Sequence, residues 1–298
     1  MDSVSLPCNL CGQQETRTLF AQVREHQLEP EDVRMTTDIY APFGQIVQCR
    51  HCGLVYTNPR LPDQAIARAY QNLEDLDYMD QQDCRSINAH LSLQIIKRYC
   101  SKGRLLDIGC STGFFLNAAR IDFDVHGVEP SEWASQFARK KLKLEIHTGS
   151  LREAPTDWPP FDVITLNDVL EHLVDPSSLM RDVALRMRPG GLLYLVTPDI
   201  SSLSARLLGR YWWGFRPAHL HYFSPKTLTR LLEKSGFRVQ EIRSYGRIFT
   251  YGYWLSRVRL YPRWFYEPLK TLIRLWKVEN KVVYINTRDS MEVCATRT

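Results

Sequence analysis

A chain of 298 residues, 44% hydrophobic and 24% charged, can bury a full core, and no run of 18 apolar residues offers it a membrane-spanning helix. The formal charge of +5 conceals an imbalance: residues 201–298 carry 18 Lys or Arg and 6 Asp or Glu, whereas residues 1–200 carry 20 and 27. The last third therefore favours anionic partners such as phosphate, RNA or an anionic membrane, with a solvated basic face as the plain alternative.

The opening "MDSVSLPCNLCG" has neither the basic start nor the apolar stretch of a secretory signal. With eight cysteines, this points to a reducing, cytoplasmic compartment in which thiols bind metal or stay free. Residues 1–60 contain two Cys-x-x-Cys knuckles, "CNLCG" and "QCRHCG", each followed by glycine. The two-residue spacer turns both thiolates of a pair toward one ion. Cys8, Cys11, Cys49 and Cys52 thus complete a tetrahedral shell with no open position, the signature of structural zinc. A redox pair is the alternative, weakened because two pairs are present and neither opens a helix in a βαβ pattern. Cys84, Cys100, Cys110 and Cys294 read as small buried residues.

Residues 61–101 form a helical linker, with Ile66, Ala69, Tyr70 and Leu73 at helical spacing and a break near Asp77. From 102 to 298, strands at 104–110, 125–129, 144–147, 161–166 and 192–197 alternate with helices at 114–120, 131–141 and 176–187, and "RPGG" at 188–191 reads as a helix stop and turn. The alternation predicts an α/β domain with a parallel sheet and crossover helices. Residues 199–225 read as an irregular aromatic lid with Trp212, Trp213 and Phe215. A helix then begins at Ser224-Pro225, a strand follows at "RVQEIRSY", and the chain ends on a strand, "SMEVCATR". Residues 247–280 are an aromatic and basic insertion in the last connection.

The turn Gly109-Cys-Ser-Thr-Gly113 between strand and helix is too poor in glycine for a pyrophosphate, because Ser111 and Phe114 occupy two glycine positions of the dinucleotide pattern. Glu129 ends the next strand, where an acidic residue binds ribose hydroxyls, and Asp107 suits an ammonium. Ribose, ammonium and no phosphate describe S-adenosylmethionine. The stretches "LLDIGCSTGFFL", "VHGVEPS", "FDVITLNDVLEHLVDP" and "LRMRPGGLLYLVTPD" resemble, in order, the motifs of class I S-adenosylmethionine-dependent methyltransferases over about residues 100–245.

The resemblance implies a Rossmann-like sheet of seven mostly parallel strands, the last antiparallel. It also implies that Asp107, Gly109 and Gly113 hold the methionine portion and Glu129 the ribose. Cys110, Ser111, Pro130, Asn167 and Asp168 join them on the cofactor side. Where the family often has an acidic residue against adenine, this chain has Ser150-Leu151. A zinc knuckle before such a core is similar to a group of bacterial zinc-ribbon methyltransferases, many tied to polysaccharide or secondary-metabolite pathways.

The donor methyl is already activated, so the protein chiefly positions the acceptor and removes its proton where needed. His172 in "LEHL" and His219 and His221 in the lid are the candidate bases, and Tyr78 closes over the cofactor by family resemblance. The expected reaction is O-methylation of a small or lipid-linked intermediate (a glycan, quinone-like compound or secondary metabolite), with an RNA base methyltransferase and a cofactor-binding scaffold as rivals. The insertion, at 249–278, reads as a cap or dimer surface, a peripheral membrane contact or an RNA-stacking surface.

Overall fold

The computed structural model describes residues 3–21, 30–34, 36, 44–259 and 261–298; the turn-rich stretch between the cysteine pairs lies mostly outside them. Strands β1 (Thr16–Phe20), β2 (Ile46–Cys49) and β3 (Val55–Thr57) pair antiparallel around the cysteine knuckles. Helices α1 (Asp63–Gln71) and α2 (Gln82–Ile96) follow, separated by a 3-10 turn at Leu76–Gln81. Asp75 starts that turn by accepting the Tyr78 amide, so the helical path breaks there.

The chain continues through β4 (Gly103–Ile108), α3 (Phe114–Ala119), β5 (Phe123–Glu129), α4 (Glu132–Leu142), β6 (Glu145–Thr148), β7 (Phe161–Asn167), α5 (Pro176–Arg186) and β8 (Met187–Pro198). After α6 (Leu203–Leu208) and β9 (His221–Tyr222) come α7 (Pro225–Lys234) and β10 (Phe237–Ser244). The remainder is β11 (Arg247–Thr250), α8 (Tyr251–Arg257), α9 (Arg263–Leu275), β12 (Val282–Ile285) and β13 (Ser290–Arg297).

Seven strands form one sheet in the order β10-β13-β8-β7-β4-β5-β6. Among them β13 alone runs antiparallel to its neighbours, the Rossmann-like arrangement expected from the sequence. Central positions such as Leu105, Leu106, Ile164, Leu193 and Leu195 are fully buried. Each contributes about 1.5–3 kcal/mol over an exposed position, which explains the near-continuous apolar strands.

Two expectations change. The predicted turn at 188–191 lies inside β8, and α5 stops at Arg186 rather than 187. Gly190 takes a positive φ of 73°, and the register against β7 shifts between Phe161 and Val163, so the glycines bend a strand instead of ending one. The predicted lid is also more ordered than its composition suggested. It contributes β9, which pairs antiparallel with β3 and becomes the fourth strand of the N-terminal sheet, order β1-β2-β3-β9. Trp212 and Phe215 are buried with Ile46, Val55 and Tyr222 behind that pairing.

The N-terminal sheet is continuous with the main core. Cys8, Leu10, Cys49, Leu54 and Tyr56 share one buried cluster with Met180, Leu193, Leu228 and Phe237. Polar contacts pin the same seam: Asn9 donates to Asp175 at 2.8 Å and accepts the Ser177 amide at 3.0 Å, and Lys234 donates to the Leu10 carbonyl at 2.9 Å.

Candidate active site

The carboxyl ends of β4, β7 and β8 open on one cleft, lined among others by Asp107, Gly109, Cys110, Ser111, Asn167, Asp168 and Val196. The turn after β4 can be this tight only because of its glycines. Gly109 (φ 71°) and Gly113 (φ 81°) are left-handed, and a Cβ on either would come within 2.6 Å of Val169 or Leu144. Ser111 and Asp168 also adopt positive φ, 49° and 55°, without glycine's freedom. Strain of this kind collects where a site is pre-shaped.

Asp107 Oδ1 accepts from the Thr165 hydroxyl at 2.6 Å and from Asn167 Nδ2 at 3.5 Å. Glu129 accepts the Ser111 amide at 2.7 Å and the Ser131 amide at 2.9 Å, one on each oxygen, and so locks the turn after β4 to the start of α4. Burial pushes both carboxyls up to about 7, against the pull of those hydrogen bonds. Two buried carboxylates that resist ionisation in the empty protein are poised to gain from a cationic, hydroxyl-rich ligand. Pro130 follows directly and turns the chain toward Ser131, whose hydroxyl caps α4 at the Ala134 amide. Gly113, Glu129, Pro130 and Ser150 are not among the residues that line the cleft; the Ser150 amide and hydroxyl both donate to Glu153 at 2.7 Å.

Sequence reasoning missed the far wall. Arg85 of α2 lies with its guanidinium 3.3 Å from the Tyr78 ring centroid, donates through Nε to the Tyr78 carbonyl, and leaves a buried terminal nitrogen without a partner among the described residues. Asn88, one turn on, clamps the insertion: its amide donates to the Ile248 carbonyl and accepts the Ile248 amide, both at 2.8 Å. That clamp brings Arg247 and Phe249 into the cleft wall, where Arg247 pairs with Asp168 at 2.6 Å. Tyr78 stacks on Phe114 at 6.2 Å and lines the cleft as well. The insertion is therefore part of the cleft wall, through its first strand.

None of the three candidate histidines lines this cleft. His221 is stacked between Tyr56 and Phe223 at 6.4 and 6.1 Å, and burial holds it down to about 3. His172 and His219 meet edge to face, ring centroids 4.6 Å apart, next to buried Glu171. Burial lowers both imidazoles, His172 to about 4, and raises Glu171 to about 8 with help from Asp168.

The four knuckle cysteines converge. Cys8 and Cys52 sulfurs lie 3.4 Å apart, Cys11 and Cys49 sulfurs 3.5 Å apart, and all four within 4.8 Å of one another. A tetrahedral ion with Zn–S near 2.3 Å needs edges of about 3.8 Å, so the set fits with small adjustments. Gly12 and Gly53 amides turn back to the Cys8 and Cys49 carbonyls at 2.8 and 3.1 Å, closing both knuckles alike.

Fold and cleft together define an S-adenosylmethionine-dependent methyltransferase with an N-terminal four-cysteine module. The chain belongs to the Methyltransferase domain family, whose pattern matches residues 80–242, more than half of its length. It is 28% identical over 166 residues to the ubiquinone biosynthesis O-methyltransferase of Bordetella avium, covering 49% of this chain and 69% of that one. Identity to the protein of the same name from Xanthomonas euvesicatoria is 25% over 174 residues, 54% and 71% of the two chains. Among solved structures, a methyltransferase of Bacillus halodurans aligns with TM-score 0.50 at 17% identity, covering 70% of this chain and 97% of that one. A Haloferax volcanii methyltransferase complex with the Trm112 activator gives 0.51 at 16%, covering 72% and 90%. These structural likenesses bear on the fold alone.

Proposed function

We propose that the chain methylates an oxygen of a quinone-like or otherwise lipid-linked small molecule, with Asp107, Gly109, Gly113, Glu129 and their neighbours holding S-adenosylmethionine. The observation that carries this reading is the cleft wall. Along the cleft with the glycine turn stand Tyr78, Phe115, Tyr245 and Phe249, a surface suited to a flat ring, and the relatives reported above are named for ubiquinone biosynthesis. The sulfonium supplies an activated methyl; the protein supplies position. His172 and His219 are assigned to the acceptor side, and His221 to packing. The cysteine set is assigned a structural zinc ion.

The test is transfer of labelled methyl into a cell extract split into RNA, lipid and small-molecule fractions. Label in lipid or small molecules, lost in Glu129→Ala, supports the reading. Label in RNA sinks it in favour of a base methyltransferase, and cofactor binding with no transfer anywhere favours a scaffold.

Arg85 is assigned to the cofactor's carboxylate, its one negatively charged group. Arg85→Ala is expected to weaken S-adenosylmethionine binding by about tenfold to a hundredfold, the worth of one charge-assisted hydrogen-bonding pair. Methylthioadenosine, which lacks the amino-acid end, should bind wild type and variant alike in a calorimetric titration. An equal loss for both ligands would mean that Arg85 only shapes the wall.

Helix α9 is assigned to an anionic membrane surface. Trp264 and Trp276 are 78% and 71% exposed, Leu275 70%, and only Ile273 of the helix is buried. Residues 247–285 carry eight Lys or Arg and two Glu. Flotation with vesicles containing phosphatidylglycerol should retain the protein at low salt. The double variant Trp264→Ala, Trp276→Ala should reduce that retention by about tenfold or more. Equal retention by neutral vesicles and by the double variant would remove the membrane from the account.

A further inference from the structure

A second group of ligating side chains lies apart from the cysteines. Glu171 and His172 sit on the 3-10 turn at Leu170–His172 that follows β7, and His219 lies two residues before β9 begins. Backbone contacts bring them together without help from the side chains themselves. The Leu220 amide donates to the Glu171 carbonyl at 2.8 Å, and the His219 carbonyl accepts from the Thr57 and Tyr222 hydroxyls at 3.2 and 2.9 Å. One ligand atom from each of Glu171, His172 and His219 then falls within 4.8 Å of the other two.

The protonation of this group is legible from its outer contacts. His219 Nδ1 stands 2.8 Å from the Gly214 carbonyl, and His172 Nδ1 stands 3.1 Å from the Ala218 carbonyl, with the Tyr70 hydroxyl 2.7 Å away on the same edge. A carbonyl oxygen can only accept, so His219 Nδ1 carries the proton and its Nε2 keeps a lone pair, whereas His172 Nδ1 faces both a carbonyl and a hydroxyl that can itself donate. Glu171 uses Oε2 to accept from the Thr197 hydroxyl at 2.9 Å. Its Oε1 faces His172 Nε2 at 4.0 Å, too far for a hydrogen bond. Three ligating atoms thus converge in a largely buried seam. An Nδ1–H held by a carbonyl is also how metal-bound histidines are oriented.

We propose that Glu171, His172 and His219 bind a divalent transition-metal ion, a site separate from the cysteine set. Two imidazoles and one carboxylate suit manganese, iron, cobalt or zinc, and three protein ligands leave positions open for water or a substrate oxygen. An acceptor hydroxyl that reached such an ion would lose its proton more easily. Binding itself does not depend on which acceptor the enzyme uses, so it is tested without one.

The test uses the full chain with its cysteines loaded with zinc. Manganese is titrated in and free manganese followed by electron paramagnetic resonance; cobalt is titrated separately and followed by its visible bands. One ion per chain is expected, with cobalt bands lacking the intense thiolate charge-transfer absorption. Glu171→Gln keeps the shape and a partner for Thr197, and His219→Ala removes one imidazole. Each should weaken binding at least tenfold while circular dichroism and S-adenosylmethionine binding confirm a folded protein. Should neither ion bind at millimolar concentration, or should folded Glu171→Gln bind like wild type, the proposal is overturned.

Discussion

Cys49→Ser is expected to disturb the enzyme far beyond its own knuckle, lowering the unfolding midpoint by about 10 °C or more and methyl transfer with it. Loss of a structural zinc ligand falls among the few single changes that cost more than about 4 kcal/mol. In a chain of this size each kcal/mol moves the midpoint by about 2–4 °C. The effect spreads because Cys49 ends β2, β2 pairs with β3, and β3 holds β9. Through β9 the disturbance reaches His219 and the Leu220 amide bonded to Glu171. The Leu10, Val47 and Tyr56 side chains would also loosen from the core they share with Met180 and Phe237. Hydrogen exchange gives the direct check: the Thr57 and Leu220 amides should lose protection in Cys49→Ser, and equally in wild type treated with a strong chelator. Unchanged protection at Leu220, with transfer intact, would reduce the module to an independent appendage.

What the sequence revealed about this enzyme follows from how local each signal is. Asp107, Gly109, Gly113 and Glu129 stand at strand ends and in one turn, so their placement is written into residues within a few positions of each other. The final antiparallel strand was likewise readable, since "SMEVCATR" is β13 in full. The strand β8 was misjudged at its start because a bulge and a turn select the same residue, glycine, and Gly190 satisfies either. The pairing of β9 with β3 joins residues more than 160 apart, and "HLHYF" carries no local mark of its partner. Arg85 and Arg247 were missed for a similar reason. Each reads as an ordinary basic residue until Asn88 clamps the insertion onto α2 and turns the pair toward the cleft. One clue was present: an asparagine buried on a helix otherwise facing the core needs a partner, and the partner it found is the insertion.

Replacement of Glu129 by alanine is expected to weaken S-adenosylmethionine binding by about a hundredfold or more. The change removes the acceptor proposed for the two ribose hydroxyls and also releases the Ser111 and Ser131 amides that Glu129 holds at 2.7 and 2.9 Å. Each lost hydrogen bond to a charged group is worth about 1.5–3 kcal/mol, so two suffice for that factor. The pH dependence separates this effect from simple misfolding. With Glu129 and Asp107 both raised to about 7 in the unliganded protein, each is substantially protonated at pH 6 and ionised at pH 8. For the empty protein the sign is unfavourable to ionisation: stability from these groups is greatest below the ordinary carboxylate range and falls as pH rises toward 7. Binding has the opposite sign, because the ammonium of the ligand rewards the ionised Asp107 and the ribose the ionised Glu129. Affinity should therefore rise by about a hundredfold between pH 6 and pH 8, about tenfold from each carboxyl, and level off above, with S-adenosylmethionine tightening the protein more at the higher pH. Asp107→Asn should leave only the rise of about tenfold that Glu129 contributes. Calorimetric titration at both pH values measures it; a flat affinity in wild type would mean that neither carboxylate titrates against the cofactor, and the assignment of both would fall together.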